Sequence, residues 1–309
     1  MSTTSNLTPS TLSEVSNLSG IQYARQLAKR WGIRAPQQFL RMWRLHRIPF
    51  DSLLSNIFEA LDSAGARFAF PTVAAVASMR PELVRWIERE GHEVASHGYV
   101  HVRYPQISAR ARREDLTRSI AVLGKLGVNV QGFRAPYDNY TDDMPLMLEE
   151  LGLAWDGGLG YRPEHRGRHM FFHVDVGGRQ SRVTYIPLNV WSDDRMIDTL
   201  GMTPAQITKR LKIEAKRAAE HGGVVMFDLH PIRIGQNKYV GCLRELAEYA
   251  VEIGGWCPTP AEAVCYWNDK NRWPGDSRFC MLLTGDIDNW VFSDYLRRQI
   301  WKRYLWRGV

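Results

Sequence analysis

The stretch MLLTGDIDNW, residues 281–290, decides how this chain is read. An apolar run, Met281-Leu282-Leu283, delivers two aspartates, Asp286 and Asp288, with one residue between them. Side chains on a strand repeat every second residue, so both carboxylates point to the same face. A buried strand that ends in paired carboxylates looks like the rim of an active site. Strands of this kind usually open a domain. Only about 20 residues follow this one, too few to begin a second domain.

Upstream, the chain alternates between two patterns. Apolar runs that read as buried strands are ARFAFPTVAAV (66–76), HEVASHG (92–98), VQGFRAPY (130–137), LAWDGG (153–158), VTYIPLNVW (183–191), GVVMFDLH (223–230) and RFCMLLTGDID (278–288). Helix-period segments lie between most of them, at 51–64, 80–90, 112–126, 142–151, 204–221 and 238–253, with Gly or Pro at the joins. Strand-helix alternation predicts right-handed βαβ units and a parallel sheet. The fold expected is therefore α/β, a distorted (β/α) barrel of about seven parallel strands, whose chemistry sits at their carboxyl ends. Residues 1–18 read as a flexible tail. Residues 19–309 read as a single barrel, with 19–48 and 289–309 as helical additions.

Composition is that of a globular chain: 309 residues, 44% hydrophobic and 24% charged. The net charge of +7 favours an anionic partner, although most of it reads as solvated surface. No clustered basic reader motif for nucleic acid is present. Cys242, Cys257, Cys265 and Cys280 form no CxxC pair, so reduced thiols are expected rather than a zinc knuckle or a disulfide framework. The polar segment MSTTSNLTPSTLSEVSNLSG lacks the pattern of a secretory leader, and no uncharged apolar run reaches about 18 residues. The expected location is the cytoplasm.

Chemistry-bearing residues recur at the strand ends. In SHGYVH, His97 and His101 are four apart, so one helical turn would present both imidazoles to a shared divalent metal. In FRAPYDNY, Arg134 precedes a turn held by Pro136, where it could grip a carboxylate. In FDLHP, His230 stands at a strand tip, suited to general acid or base work. Singly, each has an ordinary reading as a surface or core residue. Together with TGDID they converge. Two histidines and one carboxylate make a facial metal triad, and the second carboxylate is left to take a proton from bound water.

These motifs resemble the polysaccharide deacetylase family, the NodB-homology group of carbohydrate esterases. PELVRWIEREGHEVASHGYVH and GFRAPY are similar to its second and third motifs, FDLHP to its fifth, and Trp191 in NVWSDD to the aromatic of its fourth. The departure is the first motif. LHRIPFDSLL, ahead of the first strand, holds no paired acids, and an Asp-x-Asp form appears instead as LLTGDID. In a closed barrel the first strand lies beside the last, so the chain reads as circularly permuted.

The resemblance implies Asp288, His97 and His101 as metal ligands, for Zn²⁺ or another divalent ion. It implies Asp286 as catalytic base, Arg134 as the residue that orients it, and His230 as general acid. Tyr137 is implied as an oxyanion-holding backbone donor, with Trp191 and Asp156 also at the substrate. The implied reaction is hydrolysis of an N-acetyl or N-formyl group from an amino sugar. A nucleotide- or lipid-linked intracellular precursor fits the missing leader. A non-sugar amide and a non-catalytic glycan-binding role stay open. The tail VFSDYLRRQIWKRYLWRGV is basic and aromatic at helical spacing. It reads either as a helix on a membrane surface or as one packed on the barrel.

Overall fold

The computed structural model describes residues 35–159, 165 and 167–298. The segment 1–18 and the part of the basic tail beyond Arg298 lie outside them. Among the described residues eight strands are present: β1 (Ala69–Thr72), β2 (Glu93–Ser96), β3 (Gly132–Phe133), β4 (Trp155–Asp156), β5 (Thr184–Tyr185), β6 (Val224–Asp228), β7 (Gly255–Trp256) and β8 (Phe279–Thr284). Seven of them fall inside the seven apolar runs.

The order is β5-β4-β3-β2-β1-β8-β6, with β7 paired to β8. Every ladder is parallel. Beyond β5, Leu188 bridges Met226 of β6, and the sheet closes on itself as a distorted barrel. The strand that leads into TGDID is β8. It lies between β6, opposite Val224–Asp228, and β1, where Ala69 pairs with Thr284. The last strand in the chain thus occupies a slot beside the first.

Alternation sorts the strand residues into two cores. Ala95, Trp155, Val224, Met226, Cys280 and Leu282 pack together inside the barrel. Their neighbours Val94, Val225, Phe227, Met281 and Leu283 pack outward with the helices. Gly132 is required here, because a Cβ on it would lie 1.9 Å from the Trp155 ring. At the amino-terminal end, Glu93 accepts from Trp155 Nε1 (2.8 Å) and from the Ala261 amide (3.0 Å). The Ala261 amide belongs to a helix, Pro260–Lys270, that the sequence patterns do not include. Its Ala263 and Val264 plug that mouth of the barrel. The other mouth is open, and its residues follow from the same parity.

The six predicted helices are found within a few residues of their expected limits, and the 19–48 addition contains the helix Ala35–Leu45. All four cysteines are free. Residues 292–298 are helical and pack on the barrel, with Tyr295 and Arg298 buried. No helix among the described residues is long and apolar enough to cross a membrane.

Candidate functional site

The inward parity of each strand runs on past its carboxyl end. On β8 it continues from Cys280 and Leu282 to Thr284, Asp286 and Asp288. Ile287 keeps the alternation in force by bridging Thr72, its amide donating to Pro71 O at 2.8 Å. On β6 the parity passes from Val224 and Met226 to Asp228 and His230. On β2 it passes from Ala95 to His97, and on β3 from Gly132 to Arg134. Four strands thereby aim polar side chains into one cleft of about 600 Å³.

His97 and His101 come together, but not on a helical turn. Residues 97–103 form a loop wound around the buried carboxylate of Asp115. Asp115 accepts from the Tyr99 amide (2.9 Å), the Val100 amide (3.1 Å) and the Tyr104 hydroxyl (2.9 Å). Gly98 takes φ +77°, and a Cβ there would meet Asp115 Oδ2 at 2.7 Å. The loop sets the two imidazole centroids 4.9 Å apart.

Ligand atoms of His97, His101 and Asp288 lie within 4.8 Å of one another. Asp288 Oδ1 is 3.6 Å from His97 Nε2 and 3.2 Å from His101 Nε2. His97 Nδ1 faces the Arg134 carbonyl at 2.8 Å. Its proton is therefore on Nδ1, and the Nε2 lone pair faces the carboxylates. Burial lowers the His97 pKa to about 4 against the upward pull of Asp288, so the ring is neutral at physiological pH. His97 Nε2 and Asp288 Oδ1 are both buried without a hydrogen-bond partner. A neutral nitrogen lone pair opposed to carboxylate oxygens is repulsive until a cation lies between them. The donor set of two imidazoles and one carboxylate suits a divalent ion.

Asp286 and His230 flank this set. Asp286 Oδ2 is 3.3 Å from His97 Nε2 and 3.9 Å from His230 Nε2. Burial raises the Asp286 pKa to about 7, with help from Asp228 and Asp288 and against Arg134 and His230. Arg134, 1% exposed, is the hub of the carboxylates. It lies 2.5 Å from Asp228 Oδ2, 3.1 Å from Asp138 Oδ1 and 3.6 Å from Asp286 Oδ1, and it donates to Thr284 Oγ1 at 3.2 Å. His230 Nδ1 lies 2.8 Å from Asp193 Oδ1, so Nε2 is turned to the cleft. Burial alone would lower the His230 pKa, but Asp228 and Asp193 outweigh it and push it up to about 10.

Tyr137 lines the cleft with its ring 4.3 Å from that of His101. Its φ of 62° and the 50° of Asp138 form a left-handed corner that bulky side chains rarely adopt. Two expected substrate residues lie elsewhere. Asp156 is fully buried, and its Oδ1 caps the backbone turn at Gly158 (2.9 Å) and Leu159 (2.8 Å). Trp191 turns away from the cleft, its ring between the guanidiniums of Arg195 (4.5 Å) and Arg210 (4.3 Å).

Three site residues escape the sequence reading. Asp228 stands two before His230 in FDLH, the same spacing that singles out Asp286 and Asp288. Asp193 follows Trp191 in NVWSDD. Arg298, from the basic tail, is 4% exposed and ion-pairs with Asp288 Oδ2, leaving Oδ1 to the histidines.

Residues 47–155 match the family model for polysaccharide deacetylase. A chitooligosaccharide deacetylase from Sinorhizobium fredii (strain NBRC 101917 / NGR234) is 34% identical over 105 residues, 32% of this chain and 47% of that protein. The chain thus spans about half the length of the curated relative that it matches. Among solved structures, one from Mycobacterium smegmatis assigned as a polysaccharide deacetylase has a TM-score of 0.63 at 24% identity, over 72% of this chain and 79% of that one. The Puue allantoinase has a TM-score of 0.62 at 18% identity, over 72% and 74%. The structural likenesses are ones of fold, and the fold is the α/β NodB-like one. The motif resemblance to the NodB-homology deacetylases holds.

Proposed function

We propose that this relative of the polysaccharide deacetylases is a metal-dependent hydrolase that removes an N-acetyl group from an amino sugar. One observation carries the reading: a metal-ligand set, a candidate base and a candidate acid from three strands share one cleft. His97, His101 and Asp288 would hold the ion, Zn²⁺ foremost. When bound there, a divalent ion would supply Lewis-acid chemistry, lowering the pKa of a water and polarising the acyl oxygen. Asp286, beside that position, takes the proton of the attacking water. Arg134 holds Asp286 in place and keeps its neighbours Asp138 and Asp228 compensated. The left-handed corner at Tyr137 shapes the wall where the acyl oxygen would sit. His230 keeps its proton at neutral pH and delivers it through Nε2 to the departing amine, which otherwise leaves poorly.

Placement of the two aspartates just past the carboxyl end of β8, which lies beside β1, supports circular permutation as the origin of this connectivity. The substrate class is tested by measuring acetate release from N-acetylglucosamine oligomers, with a small cyclic amide in parallel. Release from the oligomers alone supports the reading. Turnover of the cyclic amide alone assigns the same site to a different C–N hydrolase.

The Asp193–His230 contact makes a pH prediction. Asp193 stabilises protonated His230, so Asp193→Asn lowers the His230 pKa. The acid form is then lost at lower pH, and the alkaline limb of kcat moves down by about 1–3 pH units. An alkaline limb that does not move would remove His230 from the role of acid.

A further inference from the structure

We propose that the mouth of the cleft docks on an anionic lipid surface. The helix Ala35–Leu45 runs along this mouth, and its Met42 and Leu45 line the cleft. The adjacent stripe of the same helix, Phe39, Leu40 and Trp43, is 40%, 49% and 44% exposed. Residues at i, i+1 and i+4 form one face, and a helix facing only water carries polar side chains there. The stripe continues across the chain: the Phe39 ring meets Phe292 edge-on, centroids 4.8 Å apart, and the next residue back, Val291, is 44% exposed. Tyr137 stands exposed at the cleft as well.

Exposed cations edge the stripe: Arg44 on the same helix, Arg47 just past its end, and Arg103 at the cleft. The stretch 35–50 contains no acidic residue. The guanidinium of Arg47 lies over the Trp43 ring at 5.1 Å, and that of Arg103 over Tyr137 at 4.1 Å. An aromatic ring paired with an arginine suits a membrane boundary, where the ring enters the headgroup region and the guanidinium meets phosphate. An apolar protein groove would match the stripe but would leave these exposed arginines without a counterpart. An anionic bilayer surface matches both. The contact is peripheral. Given the deacetylase reading, on which this consequence rests, the cleft opens at headgroup level, where an N-acylated sugar on a lipid carrier is presented.

The test is co-sedimentation of the full chain with vesicles of phosphatidylglycerol and phosphatidylcholine, and with phosphatidylcholine alone. Wild type should sediment with the mixed vesicles and be released by salt. The double variant Leu40→Ser/Trp43→Ser should bind about ten-fold more weakly or worse. Neither residue lines the cleft, so acetate release from soluble oligomers should be unchanged, and a failure of the deacetylase reading would show there and not in sedimentation. Absence of wild-type binding, or equal binding by the variant, would overturn the proposal. So would a fall in the melting temperature of the lipid-free variant, because it would mean that the chain's own segments cover the stripe.

Discussion

Replacing Asp286 with asparagine should lower kcat on N-acetylated oligomers by about 10²–10⁴-fold, the usual contribution of a positioned base. The metal content should not change. The two aspartates of TGDID are two residues apart and share a face, so their separation into base and ligand is the sharpest claim made for this strand. It rests on where they end. Asp288 Oδ1 sits between the two imidazoles, whereas Asp286 lies between Arg134 and His230. The substitution keeps the shape and removes only the proton-accepting charge. Stability works in the same direction. A carboxyl raised by burial to about 7 in the folded protein costs stability as pH rises above its ordinary value near 3.8. The amide removes that cost, so the metal-free variant should melt no lower than wild type at neutral pH. Near-normal turnover by Asp286→Asn would assign the base elsewhere.

The second large effect is structural. Arg134→Met should destabilise the protein by about 3–5 kcal/mol in urea unfolding at pH 7, because it strands buried carboxylates without their cation. The residue is 1% exposed and lies within 3.6 Å of Asp286, 3.1 Å of Asp138 and 2.5 Å of Asp228. Asp228 shows how much is at stake: burial alone would raise its pKa, yet Arg134 and His230 hold it below the ordinary value. Without the guanidinium, these carboxyls bind protons more readily when folded than unfolded. The loss should therefore shrink as pH is lowered into the range where they protonate. A loss under about 1 kcal/mol, with no pH dependence, would place Arg134 among ordinary solvent-balanced arginines.

The seven long strand runs were legible because each carries an apolar core and has Gly or Pro within or beside it. Their lengths were not, since runs such as 66–76 and 278–288 include the loops that carry the chemistry. The two-residue β7 has too little pattern to be seen. The helix Pro260–Lys270 does have a signal, the Thr259/Glu262 capping box, which stands outside the apolar periodicity that guided the reading. Asp286, Asp288, His97, Arg134 and His230 could be gathered from sequence because strand parity is a local property. Partners set by tertiary packing could not. Arg298 looks like one more cation of a surface helix, and only the fold buries it against Asp288. Asp115 reads as an ordinary helix residue until the SHGYVH loop is seen to wind around it. Trp191 and Asp156 lie outside the cleft lining, and a motif position does not say which way a side chain turns once the chain leaves the strand.

The central claim is that an aspartate from the far end of the sequence completes a metal centre with two histidines from its first half. Elemental analysis of the purified protein, beside Asp288→Ala, tests it most directly. The structure predicts about one divalent ion per chain in wild type and its loss in the variant, since two imidazoles alone hold such an ion weakly. Metal retained unchanged by Asp288→Ala would contradict the account and detach the TGDID strand from the site of His97 and His101.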